Sequence, residues 1–179
     1  AIGDKVPYTL TVNIPENVDK LYTFKVSDEV NSSELVWDAN SLVVKGIKDG
    51  ENQESKLIEG TDYSLTKNGS ADDDKNGFTI DFIVNKNGGT NTVDNYKNGT
   101  ITISYKAELK PGADMNTAGN INKADLNYSN KTNITSEADD KPYDIHDEAV
   151  VYTFKIGILK KNDDGETMTG VEFTLYKKY

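Results

Sequence analysis

The sequence predicts an all-β protein, an antiparallel β-sandwich of the immunoglobulin-like type. Apolar and polar residues alternate over many short stretches, as in half-buried strands. Clusters of Gly, Asn, Asp and Pro separate these stretches, and no segment keeps a helical period. The 179 residues suffice for one sizeable domain and part of a second.

The composition argues against several classes of partner. The net charge of −10 disfavours nucleic acid and anionic membranes, because a phosphate-binding surface needs clustered Lys and Arg. No apolar run approaches the length of a membrane span. We therefore expect no nucleic-acid partner and no membrane partner. The chain has no cysteine, so an extracellular form would need another way to resist unfolding.

The first strands can be assigned from their alternation. Residues 6–14 alternate over a long stretch, and Pro7, which has no amide hydrogen to donate, lies on the polar side. This strand is therefore expected to lie at a sheet edge or to be irregular at its start. Residues 22–28 are expected to form the next strand. The remaining elements of this half are two short strands at 34–37 and 41–44 and a hairpin-like region at 56–66.

Polar loops separate the later strands, and those at 67–77 and 85–99 are expected to be exposed. The strands are expected at residues 78–84, 101–109, 119–130 and 148–160. The last run is too long for one strand of a compact sandwich, so it is expected to finish one domain and enter another. We therefore predict a sandwich domain at 1–155 and the opening hairpin of a truncated domain at 156–179.

Two polar side chains fall on apolar faces of predicted strands. Because side chains alternate along a strand, Asp28 shares a face with Phe24 and Val26, and Asn122 shares one with Leu126. Burying a carboxylate or a carboxamide is costly unless something pairs with it. The simpler interpretation is that Asp28 binds backbone amides at a strand end and that Asn122 caps a turn.

Several motifs occur in the order typical of one known family. They are IGDKVPYTL at 2–10, YTFKVSD at 22–28, ISYKA at 103–107, NKADLNYSN at 122–130 and VYTF at 151–154. Over residues 2–155 the chain resembles the second domain of Gram-positive major pilins, the fimbrial isopeptide-forming domain of sortase-assembled pili. LKKN at 159–162 and TGVEFTLY at 169–176 are similar to the opening hairpin of the Cna-B type domain that follows in such pilins.

The resemblance implies an intramolecular amide between a lysine and an asparagine, assisted by a buried acid. It assigns Asp28 as the acid and Asn122 as the acceptor. An apolar site would keep the amine neutral and the acid protonated. In the family the lysine precedes the Gly-Asp that opens the first strand, so we expect it upstream of Ala1. Lys5 alternates out of phase and is expected to face solvent, and no bond is expected within this chain.

Lys160 corresponds in the same way to the reactive lysine of the following domain. The acid and asparagine that would join it are expected beyond Tyr179, so Lys160 is predicted to be unreacted here. Glu172 is out of phase with its apolar neighbours and is not the expected acid. The simpler interpretation of Lys160 is a lysine that lifts its amine out of the end of a sheet.

The function that the resemblance implies is structural. It is that of a shaft subunit of a surface pilus, located outside the cell at the cell surface or cell wall, with neighbouring pilin subunits and sortase as partners. An alternative is a ligand-binding module of a cell-surface adhesin that takes a host surface ligand through loops 67–77 and 85–99. Exposed aromatic residues in a groove would favour the adhesin. A third possibility is a likeness of fold alone.

Other chemistry is weakly indicated. The acidic runs 72–74 and 139–140 match no calcium-binding spacing, and solvated loops are the expected form. His146, near Asp144 and Asp147, is expected to be a surface residue. No phosphate-binding glycine loop and no nucleophile set with recognisable surroundings occurs. We expect no metal, no cofactor and no enzyme with turnover.

Overall fold

The structure is a computed structural model that describes residues 2–30, 34–68, 77–86, 88–111, 113 and 120–151. Its strands are β1 (Lys5–Asn13), β2 (Phe24–Val30), β3 (Leu35–Ile47), β4 (Glu54–Lys56), β5 (Ser64–Lys67), β6 (Gly77–Asp81), β7 (Thr100–Leu109), β8 (Asn120–Tyr128) and β9 (Tyr143–Val151). Short 3₁₀ helices lie at Val18–Lys20, Thr92–Tyr96 and Glu137–Asp139. In the described part of the chain, no helix is long and apolar enough to cross a membrane.

The strands form two antiparallel sheets. One has the order β1-β7-β3-β4 and the other β5-β6-β2-β8-β9. The predicted all-β sandwich is therefore confirmed. β1 lies at the edge of its sheet, and Pro7 is exposed there, so the missing amide hydrogen breaks no ladder.

The core between the sheets is built from alternating side chains and is rich in aromatic rings. In β7 every second residue from Ile101 to Leu109 is buried. Phe78 contacts Trp37 at a ring-centroid distance of 5.1 Å and meets Tyr105 edge-on at 5.0 Å. Such tilted and edge-on pairs add to the stabilisation that burial of the ring area provides.

β3 is one strand where two short ones were predicted. Its register against β7 shifts between Asp38 and Val43, which marks a β-bulge. The Ser41 hydroxyl donates to the Asp38 carbonyl at 2.6 Å and accepts from the backbone N–H of Lys106 at 2.8 Å. The Ser41 side chain thus takes the place of a backbone hydrogen bond at the bulge, and β3 continues beyond it.

The region 56–66 is not a hairpin. β4 pairs with β3 in the first sheet, whereas β5 pairs with β6 in the second. The connection crosses between the layers and buries Leu57 and Tyr63. Turn residues alone cannot distinguish this crossing from a hairpin, because the partner of each strand depends on how its side chains pack in the core.

The expectation of an exposed loop at 85–99 is wrong. Its 3₁₀ helix, Thr92–Tyr96, buries Val93 and Tyr96. The backbone N–H of the buried Asn91 donates to Asp94 Oδ2 at 2.9 Å and holds the helix start, and its side-chain oxygen accepts from the Asn85 N–H at 2.8 Å. The Tyr96 ring packs directly on Gly46, since a Cβ built on Gly46 would lie 2.3 Å from the nearest ring atom. The predicted loop at 67–77 lies mostly outside the described residues.

β9 begins at Tyr143, earlier than the predicted residue 148. The continuation beyond Val151 lies outside the described residues, as do the region 156–179, Lys160 and Glu172. The domain boundary therefore stays a prediction.

Replacing Gly46 with Ala is expected to destabilise the sandwich by about 1 to 3 kcal/mol, because the new methyl group overlaps the buried Tyr96 ring. The measurement is the free energy of unfolding from urea titration. Lys45→Ala is the control, since it changes the neighbouring exposed residue and removes only a surface ion pair with Glu54, worth at most about 1 kcal/mol. Equal effects of the two variants would contradict the packing described here.

Candidate functional site

Asp28 and Asn122 lie together beneath the second sheet. Asp28 is 0% exposed and Asn122 is 2% exposed. On the adjacent strands β2 and β8, Asp28 is opposite Ala124 and Asn122 is opposite Val30, so the two are diagonal neighbours on one face. Asn122 Nδ2 donates to Asp28 Oδ2 at 2.9 Å.

Tyr105 reaches this pair from the opposite sheet. It is buried on the inward face of β7, and its hydroxyl donates to Asp28 Oδ2. The oxygen of the Tyr105 hydroxyl in turn accepts from Asn122 Nδ2 at 2.9 Å. The three polar groups thus form a closed triangle between the sheets. Because a buried tyrosine hydroxyl usually finds a partner, an inward tyrosine in a strand was the signal that sequence reasoning missed.

Aromatic rings enclose the triangle. The Tyr8 ring stacks on the Tyr105 ring at 5.4 Å with an interplanar angle of 12°, and Phe78 meets Tyr105 from the other sheet. Both Tyr8 and Phe78 are buried. The surroundings of the carboxylate are therefore apolar.

This burial changes the protonation of Asp28. Burial raises the pKa of the Asp28 carboxyl to about 6, and the hydrogen bonds from Tyr105 and Asn122 act in the opposite direction. Burial, followed by the charge of Asp28, raises the pKa of Tyr8 to about 12 and also raises the pKa of Tyr105. Both phenols stay protonated, whereas Asp28 changes its charge near neutrality.

Two acceptor oxygens of the site are left unpaired. Within the part of the chain that the structure describes, the buried atoms Asp28 Oδ1 and Asn122 Oδ1 have no hydrogen-bond partner. The hydroxyl of Tyr8 and Nε1 of Trp37 are likewise buried without one. Unpaired buried acceptors cost about 1 to 3 kcal/mol each, so the arrangement suits a group that brings N–H donors.

The backbone at Asp28 is tightly held. β2 is an inner strand, flanked by β6 and β8. Gly77 has φ of +108°, and a Cβ there would lie 2.0 Å from the Asp28 carbonyl oxygen. The side chain of Asn68 also donates to that carbonyl at 3.2 Å. Only glycine permits this approach, which fixes the position from which the carboxylate points inward.

Lys5 lies outside the site, as its alternation predicts. Its side chain is 53% exposed, and Nζ contacts Asp38 Oδ2 at 2.8 Å on the surface. The groups that shift the pKa of Asp28 include no lysine among the described residues.

The remaining candidates are surface or structural residues. The exposed His146 contacts Asp125, and that hydrogen bond raises the pKa of the imidazole. Asp139 accepts from the Ser136 hydroxyl and Asp140 from the Thr23 hydroxyl, both at 2.6 Å. Among the described residues, no group of three or more His, Cys, Asp or Glu could hold a metal ion. The acidic run 72–74 lies outside them.

The fold and site define an immunoglobulin-like sandwich with a buried Asp, Asn and Tyr cluster between its sheets. No protein-family model matches the chain. Over 192 residues, the chain is 32% identical to the "Trypsin-resistant surface T6 protein" of Streptococcus pyogenes serotype M6, an alignment that covers 98% of this chain and 33% of that protein. The chain thus spans a third of this curated relative.

Solved structures agree with this relationship. The T6 backbone pilin of serotype M6 Streptococcus pyogenes superposes with a TM-score of 0.58 at 26% identity, covering 84% of this chain and 31% of that one. The pilus 2b backbone protein of group B streptococcus superposes with a TM-score of 0.57 at 25% identity, and the match covers 84% of this chain and 53% of that one. Over the region it spans, the chain is similar in sequence and fold to streptococcal backbone pilins.

Asp28→Asn is expected to stabilise the chain at neutral pH and to reduce its pH dependence. The folded pKa of about 6 lies above the ordinary value of 3.8, so the folded state binds more protons between these values and stability falls as pH rises through them. In the wild type, the free energy of unfolding therefore falls by about 2 to 3 kcal/mol between about pH 4 and pH 6 because of Asp28. The Asp28→Asn variant lacks this decrease.

The measurement is the free energy of unfolding of both proteins from pH 4 to pH 8. Glu16→Gln, at an exposed position outside the strands, is the matched control for loss of a carboxylate. Parallel stability curves for the wild type and Asp28→Asn would show that Asp28 titrates normally and is not buried as described.

Proposed function

We propose that the chain is a load-bearing segment of the shaft of a surface pilus, located outside the cell at the cell surface or cell wall. The observation that carries this proposal is the buried Asp28 and Asn122 pair, with unpaired oxygens, in a homologue of backbone pilins. Neighbouring pilin subunits are its partners, and sortase joins them. The domain is a structural element and not an enzyme with turnover.

The site supports one covalent reaction. A neutral lysine amine attacks Cγ of Asn122, the new C–N bond forms, and the bond from Cγ to Nδ2 breaks. The amine loses one proton and the leaving Nδ2 gains one, so that one ammonia is released. No oxidant or external co-reactant is required.

Asp28 is suited to move this proton. Its Oδ2 is 2.9 Å from the leaving Nδ2, and burial raises the pKa of the carboxyl, which favours its protonated form more than in an exposed aspartate. The same apolar surroundings would disfavour an ammonium ion and favour the nucleophilic amine. The unpaired Oδ1 atoms of Asp28 and Asn122 offer acceptors to the incoming N–H groups.

We infer that the lysine lies in the longer protein on the segment before Ala1. Lys5 is engaged with Asp38 at the surface, and its strand directs it away from the core. The chain covers 33% of the T6 relative, which leaves room for further segments in a protein of that kind. A second bond at Lys160, in a following domain, is proposed on the resemblance alone.

The proposed bond would stiffen the shaft without disulfides. It would tie a segment before β1 to β8, across a loop of about a hundred residues, and the chain-entropy model gives a gain of about 4 to 5 kcal/mol for such a loop. Pulling could not extend the enclosed sequence. The isopeptide bond would thus provide the covalent protection against unfolding that disulfides cannot provide in a chain without cysteine.

The adhesin alternative receives less support. Exposed aromatic residues on the candidate recognition loops would favour it. In the loop at 85–99 the aromatic residue is Tyr96, which is buried and packs on Gly46. A host surface ligand is therefore not part of the proposal.

The test uses the protein extended at its amino end to include the preceding segment. We expect an intact mass lower by one ammonia than the sequence mass. Asn122→Ala and Asp28→Ala are each expected to restore the full mass, because the first removes the acceptor and the second the proton carrier. Electrospray mass spectrometry of the folded proteins makes the measurement.

Asn127→Ala is the matched control, since it removes a carboxamide on the other face of the same strand, where Asn127 contacts Asp144. This variant is expected to keep the reduced mass. A full sequence mass for the extended wild-type protein would rule out the proposed bond.

A further inference from the structure

We propose that Tyr105 is a positioning residue for the crosslinking reaction, and that its hydroxyl holds the carboxamide of Asn122 against Oδ2 of Asp28. This inference rests on the proposed function and deepens it. Tyr105 comes from the sheet opposite the other two residues, so the site is assembled only when the two layers pack.

The hydrogen-bond roles in the triangle are fixed by chemistry. The Tyr105 hydroxyl has one hydrogen, which it donates to Asp28 Oδ2. Its oxygen therefore accepts from Asn122 Nδ2, at 2.9 Å. The same N–H also points to Asp28 Oδ2, at 2.9 Å, because the two acceptors are hydrogen-bonded to each other and lie too close together for the two diverging N–H bonds of Nδ2. One amide hydrogen is thus shared by both oxygens, which sets the orientation of the carboxamide.

This orientation favours departure of ammonia over other outcomes. The leaving nitrogen is held next to the acid that must protonate it, while Oδ1 of Asn122 stays unpaired on the other side. Turning the carboxamide would break this shared hydrogen bond, worth about 1 kcal/mol. Without the Tyr105 hydroxyl, only one contact would hold the nitrogen in place.

Tyr105 also acts on the protonation of Asp28. Its hydrogen bond to the carboxylate lowers the pKa that burial raises, as does the bond from Asn122. The charges of Asp125 and Glu29 raise it, and Tyr8 faces the same carboxylate as a neutral phenol. Loss of the Tyr105 hydroxyl is therefore expected to raise the pKa of Asp28 further.

Tyr8 provides a matched control within the same site. Its ring stacks on that of Tyr105, but in the described structure its buried hydroxyl has no hydrogen-bond partner. Tyr8→Phe and Tyr105→Phe thus remove the same atom from two stacked rings. Only the second removes contacts to Asp28 and Asn122.

The first experiment follows bond formation in the amino-terminally extended protein by intact mass against time. Tyr105→Phe is expected to slow ammonia loss at least about tenfold, as misplacement of reacting groups does, and Tyr8→Phe is expected to react like the wild type. Equal behaviour of the two variants, with a reacting wild type, overturns the role of Tyr105 and leaves the proposed function standing. A wild-type protein that never loses ammonia contradicts both the role of Tyr105 and the proposed function.

The second experiment separates positioning from a merely structural role, and it uses the present chain. The carboxyl ¹³C resonance of Asp28 is titrated by NMR. Tyr105→Phe is expected to raise its pKa, and 3-fluorotyrosine at position 105, a stronger donor that keeps the ring and the fold, is expected to lower it. An Asp28 pKa that is the same in the wild type, the Phe variant and the fluorotyrosine protein would overturn the proposal.

Discussion

The structure depends on an unfavourable burial: a carboxyl group and a carboxamide are removed from water with few partners. Asn122 donates a hydrogen bond to Asp28 and both side chains contact the Tyr105 hydroxyl, yet each keeps an unpaired oxygen. Replacing such groups by apolar residues is often neutral or stabilising. Their presence in the centre of a sandwich is therefore better explained by chemistry than by stability.

The fold makes this burial rigid enough to be useful. β2 and β8 are adjacent inner strands, and β7 lies between two partners in the opposite sheet, so each functional side chain comes from a strand that is paired on both sides. Gly77 brings β6 close to the Asp28 carbonyl. A site carried by rigid strands loses little geometry to motion, which a reaction between fixed side chains requires.

The alternation of side chains was enough to predict the all-β class and the inward direction of Asp28 and Asn122, and Pro7 indicated an edge position or an irregular start for β1. It could not supply Tyr105, because parity places a side chain on a face but says nothing about which residue of the other sheet meets it. The contact of Ser41 with Lys106 at the bulge and the burial of Tyr96 were missed for the same reason. Each depends on a contact between segments that are distant in sequence, and local strand propensity cannot predict such a contact.

A crystal structure of the amino-terminally extended protein tests the central claim most directly, since it shows the bonding at Asn122 Cγ. The account predicts continuous electron density from a lysine Nζ to that carbon, with Asp28 Oδ2 within hydrogen-bond distance of the new amide and Tyr105 beside it. An intact Asn122 carboxamide with every lysine side chain at the surface would contradict it.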